Sequence, residues 1–156
     1  MEQAKEKVEK YLERVRAFET EVRRWCEAPQ LTIVDHTADL FEPFVEKYQA
    51  PALKVLLGDG SQIAELVPAG SNIIGALGRI DLIGRMSRHP FLFYSGKGPA
   101  IGIDVAGQPG PSPRPIVAGI DGEGWYWLET SITRAKRVDE TLFIDLLSDA
   151  TDHEFQ

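Results

Sequence analysis

One cysteine, two methionines and three histidines are all that 156 residues contain of these types, and no apolar run approaches the ~18 residues of a membrane span. The lone Cys26 has no partner for an intrachain disulfide and falls short of any Cys-based zinc pattern, which fits a reducing cytosol. The first thirty residues are charged and amphipathic, unlike a basic leader followed by an apolar stretch, so a soluble cytoplasmic chain is expected. Positive charge is also short, with a formal net charge of −7. That argues against broad binding to nucleic acid or anionic membrane, since both require a positive surface. The length suits a single domain over residues 1–156, burying roughly 68–70% of the surface of its unfolded chain.

What is present is organised unevenly. Residues 1–27 carry seven basic and seven acidic side chains, whereas residues 138–156 carry six acids and no Lys or Arg. Val8, Tyr11, Val15, Phe18, Val22 and Trp25 recur at three- and four-residue steps, which predicts a helix over 1–27 ending at Pro29. Lys5 with Glu9, Glu6 with Lys10 and Glu19 with Arg23 are spaced to support its solvated face. The same spacing fits packing on a sheet or a coiled-coil seam, and so a homodimer through this helix.

Residues 31–129 read as a sheet. Leu31–Val34 predicts a first strand, and Asp35–Pro43 a polar connection. Ala52–Leu57 and Gln62–Val67 flank Gly58-Asp59-Gly60-Ser61, a strong hairpin signal, with Pro68 ending the second strand or lying at an edge. Residues 79–83 alternate as a central strand, followed by Phe91–Tyr94 and Ala100–Val105. Gly107–Pro115 is too rich in Gly and Pro for a helix or interior strand and predicts an exposed loop. Ile116–Ile120 and Trp125–Glu129 suggest a second hairpin. Over 138–150 a helix is expected with Asp139 as N-cap and Val138 and Phe143 as a hydrophobic staple, followed by an acidic tail.

The chemistry-bearing patterns are fragments. Gly70-x-x-x-x-Gly75 has the opening spacing of a phosphate-binding loop, but Ala76-Leu77 stand where Lys and Ser/Thr are required. Arg79 and Asp81 share one strand face and suit a structural ion pair. Asp81 also suits the metal carboxylate of a restriction-endonuclease-like nuclease or phosphoesterase, using Mg²⁺ with Lys97 and an acid such as Glu65 or Asp104. Ser95 occupies the place of that motif's second acid. His36 with Asp35 or Asp39 could form a metal site only through tertiary coincidence. Trp125 and Trp127 point to one strand face, fitting either burial under the helix or an aromatic binding platform.

The run Val67-Pro68-x-Gly70, then Ile74-Gly75-Ala76-x-Gly78-Arg79-Ile80-Asp81-Leu82-x-Gly84, resembles a segment shared by small uncharacterised bacterial proteins. The resemblance covers residues 53–84 and implies a bacterial source but no activity or catalytic residues. The sequence therefore predicts an α+β fold: a long N-terminal helix packed on a curved, mainly antiparallel sheet, closed by a C-terminal helix. The expected function is a non-enzymatic protein-interaction or regulatory module without cofactor. Trp125, Trp127, Arg79 and Asp81 are its binding candidates, and its partner is a protein, with a basic one suited to the acidic C-terminal helix, as in an immunity protein blocking a toxin. The competing expectation is the Asp81/Lys97 enzyme. A small-ligand pocket under the sheet is the third.

Overall fold

The computed structural model describes residues 2–73, 75–96, 98, 100–101, 114–115, 117–129 and 134–155. Helix α1 (Glu2–Trp25) leads into five strands, β1 (Thr32–Leu40), β2 (Tyr48–Leu56), β3 (Gln62–Gly70), β4 (Gly78–Gly84) and β5 (Arg88–Tyr94). A short pair, β6 (Ala100–Ile101) with β7 (Arg114–Pro115), precedes β8 (Gly124–Glu129), β9 (Arg134–Arg137) and helix α2 (Glu140–Thr151). The seven longer strands form one antiparallel sheet in the order β1-β2-β3-β4-β5-β8-β9. This is the expected α+β architecture, with β4 at the centre of the sheet. Among the described residues no helix is long and apolar enough to cross a membrane.

Helix α1 forms where the apolar spacing placed it, and its stripe is consumed inside the chain: Tyr11, Val15, Phe18, Val22 and Trp25 are buried in the main core. Phe18 lies 5.7 Å from Phe91 and 5.6 Å from Trp125, ring centre to ring centre, so the helix rests on the middle of the sheet. Glu19 departs from expectation. Its spacing to Arg23 predicts a place on the solvated face, yet it is 5% exposed, because position 19 is four residues after Val15 and three before Val22 and shares their side. Helix α2 begins as the sequence indicated: Asp139 accepts a hydrogen bond from the Leu142 amide at 2.8 Å, and Val138 and Phe143 are both buried.

Two glycines of the central strand set the helix positions. A Cβ at Gly78 would lie 2.6 Å from the Tyr11 ring of α1, and one at Gly84 would overlap the Ala150 carbonyl of α2. Each end of β4 thus docks one helix at a distance that only glycine permits.

Three prolines lie inside strands of this sheet, and each sits where one neighbouring ladder has stopped. Pro51 in β2 precedes the β3 ladder, which starts at Leu53, and Pro68 in β3 follows that ladder's last partner, Leu66. Pro90 in β5 precedes the β8 ladder, which starts at Phe91. A missing N–H therefore costs no interstrand bond on that side.

Four strand assignments change. Strand β1 extends through Leu40, so most of the expected connection Asp35–Pro43 is paired with β2. Among the described residues the expected hairpin of 116–120 with 125–129 is absent: β8 pairs with β5 and β9, and Ala118 makes only an isolated bridge to Arg134, while 116 lies outside the described residues. The basic cluster Arg134, Lys136 and Arg137 is thus the edge strand β9. Of the Pro-rich segment, Arg114–Pro115 form β7, while 107–113 lie outside the described residues.

Candidate functional site

The segment joining β1 to β2 is Phe41-Glu42-Pro43-Phe44-Val45-Glu46-Lys47, and it displays the two most exposed large apolar side chains described. Phe41 is 77% and Phe44 79% exposed. Phe44 also holds φ at +68°, a left-handed conformation that an aromatic residue adopts at a cost of about 1–2 kcal/mol.

Glu42 keeps this segment in place. Its Oε1 accepts hydrogen bonds from the Ser71 amide at 3.0 Å, the Ser71 hydroxyl at 2.8 Å and the Asn72 amide at 2.6 Å. The Tyr48 hydroxyl donates to its other oxygen. Burial alone would raise the pKa of Glu42, but the bonds from Tyr48, Ser71 and Asn72 outweigh it and hold the carboxyl below its ordinary range. Beside it the Tyr11 hydroxyl donates to the Arg79 carbonyl at 2.6 Å and accepts from the Gly70 amide at 3.0 Å, tying α1 to the same corner. Burial is the main cause, and the nearby Glu42 charge a further one, that both Tyr11 and Tyr48 are pushed to higher pKa and stay neutral donors.

Phe44, with Val8 and Val45, forms the wall shared by two grooves. One, of about 580 Å³, is lined by Glu2, Lys5, Val8, Glu9 and Tyr48. The other, of about 250 Å³, is lined by Ala4, Lys7, Val8, Glu42 and Ser71. The corner is therefore an aromatic knuckle on a rigid base, flanked by concave surfaces with both charge signs at their rims.

The residues singled out by sequence lie elsewhere. Arg79 Nε is 2.7 Å from Asp81 Oδ1 and Nη2 3.3 Å from Oδ2, with Arg88 a further 3.9 Å away. Asp81 is 7% exposed, so a cation there would have to displace a two-point guanidinium contact. Lys97 and Asp104 lie outside the described residues, and the Glu65 carboxylate accepts from Gln62 at 2.8 Å. Among the described residues no group of three His, Cys, Asp or Glu could hold a metal ion. His36 falls on the opposite strand face from Asp35 and Asp39, and those two carboxylates contact Arg23 and Gln49.

Trp125 and Trp127 do share a face, and Tyr126 joins a separate cluster with Tyr94, Val117 and Ile120. Trp125 is 7% exposed, packs against Phe18 and Phe93, and donates its indole N–H to the Arg14 carbonyl at 3.3 Å. Trp127 is half-buried beside His89. At the Gly70–Gly75 loop the amides of Ser71 and Asn72 already serve Glu42, so the chain supplies its own anion where a phosphate would sit.

A Ser-His-Asp cluster invisible in the sequence joins α2 to the sheet. His89 Nε2 lies 2.7 Å from Asp149 Oδ2, and Ser87 Oγ lies 2.8 Å from the same oxygen. The serine proton goes directly to the carboxylate and the histidine offers one nitrogen to both groups, whereas a relay needs Asp and Ser on opposite ring nitrogens. The cluster is a clamp on α2, not a nucleophile. Cys26 is likewise inert, since burial pushes its thiol up to about 12.

Sequence reasoning passed over Phe41, Glu42 and Phe44. The available signal was two phenylalanines in four residues with neither helical nor strand periodicity, flanking Glu-Pro between strands. No family model, curated protein or solved structure matches the chain.

Proposed function

We propose that this protein is a non-enzymatic module that binds another protein, with Phe44 as its anchor. The observation that carries the reading is a phenylalanine 79% exposed at positive φ on a loop fixed by the Glu42 clamp. Leaving such a ring in water forgoes roughly 1.5–3 kcal/mol of burial, and the backbone strain adds to that. A clamped loop loses little conformational entropy on binding, and rigid aromatic side chains dominate interface energetics. The two grooves offer the partner places for its own side chains beside the ring.

The acidic C-terminal segment, with six acids and no Lys or Arg, suits a basic partner by steering its approach. An immunity-type inhibitor of a basic toxin domain is one case of this reading. The metal-dependent nuclease reading gains no specific observation, because Asp81 is engaged by Arg79.

The test compares proteins retained by the immobilised wild-type chain and by Phe44→Ser. The expected result is a binder lost from the variant while its circular dichroism and Tm match the wild type, since an exposed substitution changes stability by about ±0.5 kcal/mol or less. Identical retention by both overturns the proposal. Stabilisation by Mg²⁺ that disappears in Asp81→Asn would instead show a metal site at Asp81 and favour the enzyme reading, with a nuclease assay to follow.

A further inference from the structure

The two edges of the sheet are guarded very differently. Strand β9 is four residues long and carries Arg134, Lys136 and Arg137, the short, cationic kind of edge that discourages pairing. Strand β1 is nine residues long, contains no Pro or Gly, and keeps one unbroken register with β2 from Thr32↔Leu56 to Leu40↔Tyr48. Its outer flank pairs with no strand described, and most of its side chains are exposed. A regular edge of this length presents a row of backbone donors and acceptors to any incoming strand. Its acids, the usual deterrent, are held by this chain itself: Asp35 by Arg23, and Asp39 by the Gln49 amide at 3.3 Å.

From this edge we infer that the protein forms a two-fold dimer by antiparallel pairing of β1 with β1 of a second copy, centred on His36. Only paired residues that share a face are compatible with a two-fold axis through the sheet, so the axis passes through one residue position. Centring on His36 uses all nine residues, placing Thr32 opposite Leu40, Ile33 opposite Asp39, Val34 opposite Ala38 and Asp35 opposite Thr37. Moving the centre to Asp35 sets Asp35 against itself, and moving it to Thr37 sets Asp35 against Asp39. Like charges directly opposite destabilise a pair, so the His36 register is the favoured one. In the same register Phe41 of each copy arrives opposite Leu31 of the other. Two of the exposed large apolar residues, Val34 at 40% and Phe41 at 77%, thereby meet apolar partners. The inference does not involve Phe44 and stands apart from the partner reading above.

Sedimentation equilibrium on the full chain tests it, with Val34→Lys/Phe41→Ser as the disrupting variant and His36→Cys as the register probe. The buried Cys26 is silent to a short thiol crosslinker, and Ser61→Cys, in the β2–β3 turn, is the control for random collision. The expected outcome is a wild-type dimer, a monomeric double variant with unchanged circular dichroism, and His36→Cys crosslinking at least tenfold faster than Ser61→Cys. A wild type that remains monomeric at sub-millimolar concentration overturns the inference. So does a dimer that survives the double substitution, or one in which His36→Cys crosslinks no faster than the control. Should the double variant misfold, the crosslinking ratio and the wild-type mass decide alone.

Discussion

Glu19 is a carboxylic acid set among Val15, Phe18 and Val22 with one oxygen lacking any hydrogen-bond partner described. Burial is the chief reason its pKa rises to about 8, with Asp35 adding to the rise and Arg23 and Arg16 opposing it. Below the unfolded value near 4.3 both states are protonated and Glu19 contributes nothing to the pH dependence. As pH climbs from there to about 8, the unfolded chain ionises first and stability falls. Glu19→Gln should therefore raise stability at pH 8 by about 1–3 kcal/mol and flatten the decline, read by urea unfolding at pH 5 and pH 8. The Arg79–Asp81 pair is the complementary case. Asp81→Asn should cost about 2–3 kcal/mol by leaving a half-buried guanidinium without its counter-charge, and Arg79→Met with Asp81→Leu should recover most of it. The ion pair was legible because residues two apart in a strand share a face. The burial of Glu19 was not, because its i,i+4 relation to Arg23 resembles an ordinary surface pair.

At the scale of elements, β4 is the member on which both helices converge, and its glycines carry the sharpest expectation. Gly84→Ala should destabilise by roughly 2–4 kcal/mol, since the obstructing atom is the Ala150 backbone carbonyl, itself hydrogen-bonded to the Met86 amide at 2.8 Å. Gly58→Ala, with nothing within 4 Å of the added methyl, should lie within about ±0.5 kcal/mol. Paired thermal melts of the two variants check this. Local signals made α1, the β2–β3 hairpin and the α2 N-cap legible, because each is decided by residues within a few positions of one another. The full length of β1 was hidden because an edge strand is wet on both faces and loses its alternation. Strand β9 was hidden because three cations in four residues read as a loop. The Glu42 clamp joins segments 29 and 30 residues apart in sequence, a distance no short pattern spans.

For the whole molecule, opposing titrations meet in a narrow acidic window. Glu42 and Asp149 are both held below the ordinary carboxylate range, Asp149 first by the Ser87 hydroxyl and then by His89. Their contribution is present above pH ~4.3 and is lost as pH falls through their depressed values. Combined with Glu19, these opposing slopes cancel near the unfolded carboxylate value of about 4.3, and a Tm series in low-salt buffers should peak close to that pH. Glu42→Gln should remove the acid-side loss at the knuckle and loosen Phe41–Lys47, read as faster amide exchange of Ser71 and Asn72 and a Tm lower by roughly 2–6 °C at neutral pH. The net charge of −7 bears on association and not on fold. Accordingly the −7 was readable from composition, but the knuckle it would serve was not.

The burial of α1 also sets a schedule during synthesis. Its stripe is completed by Phe91, Trp125 and Phe143, all made long after the helix itself. At about 5–20 residues per second, a ribosome needs roughly 6–25 s to travel from the end of α1 to Phe143, the last of those partners. For that interval the nascent helix carries an uncovered aromatic face, which makes the emerging chain a client for whatever holds hydrophobic segments at the tunnel exit.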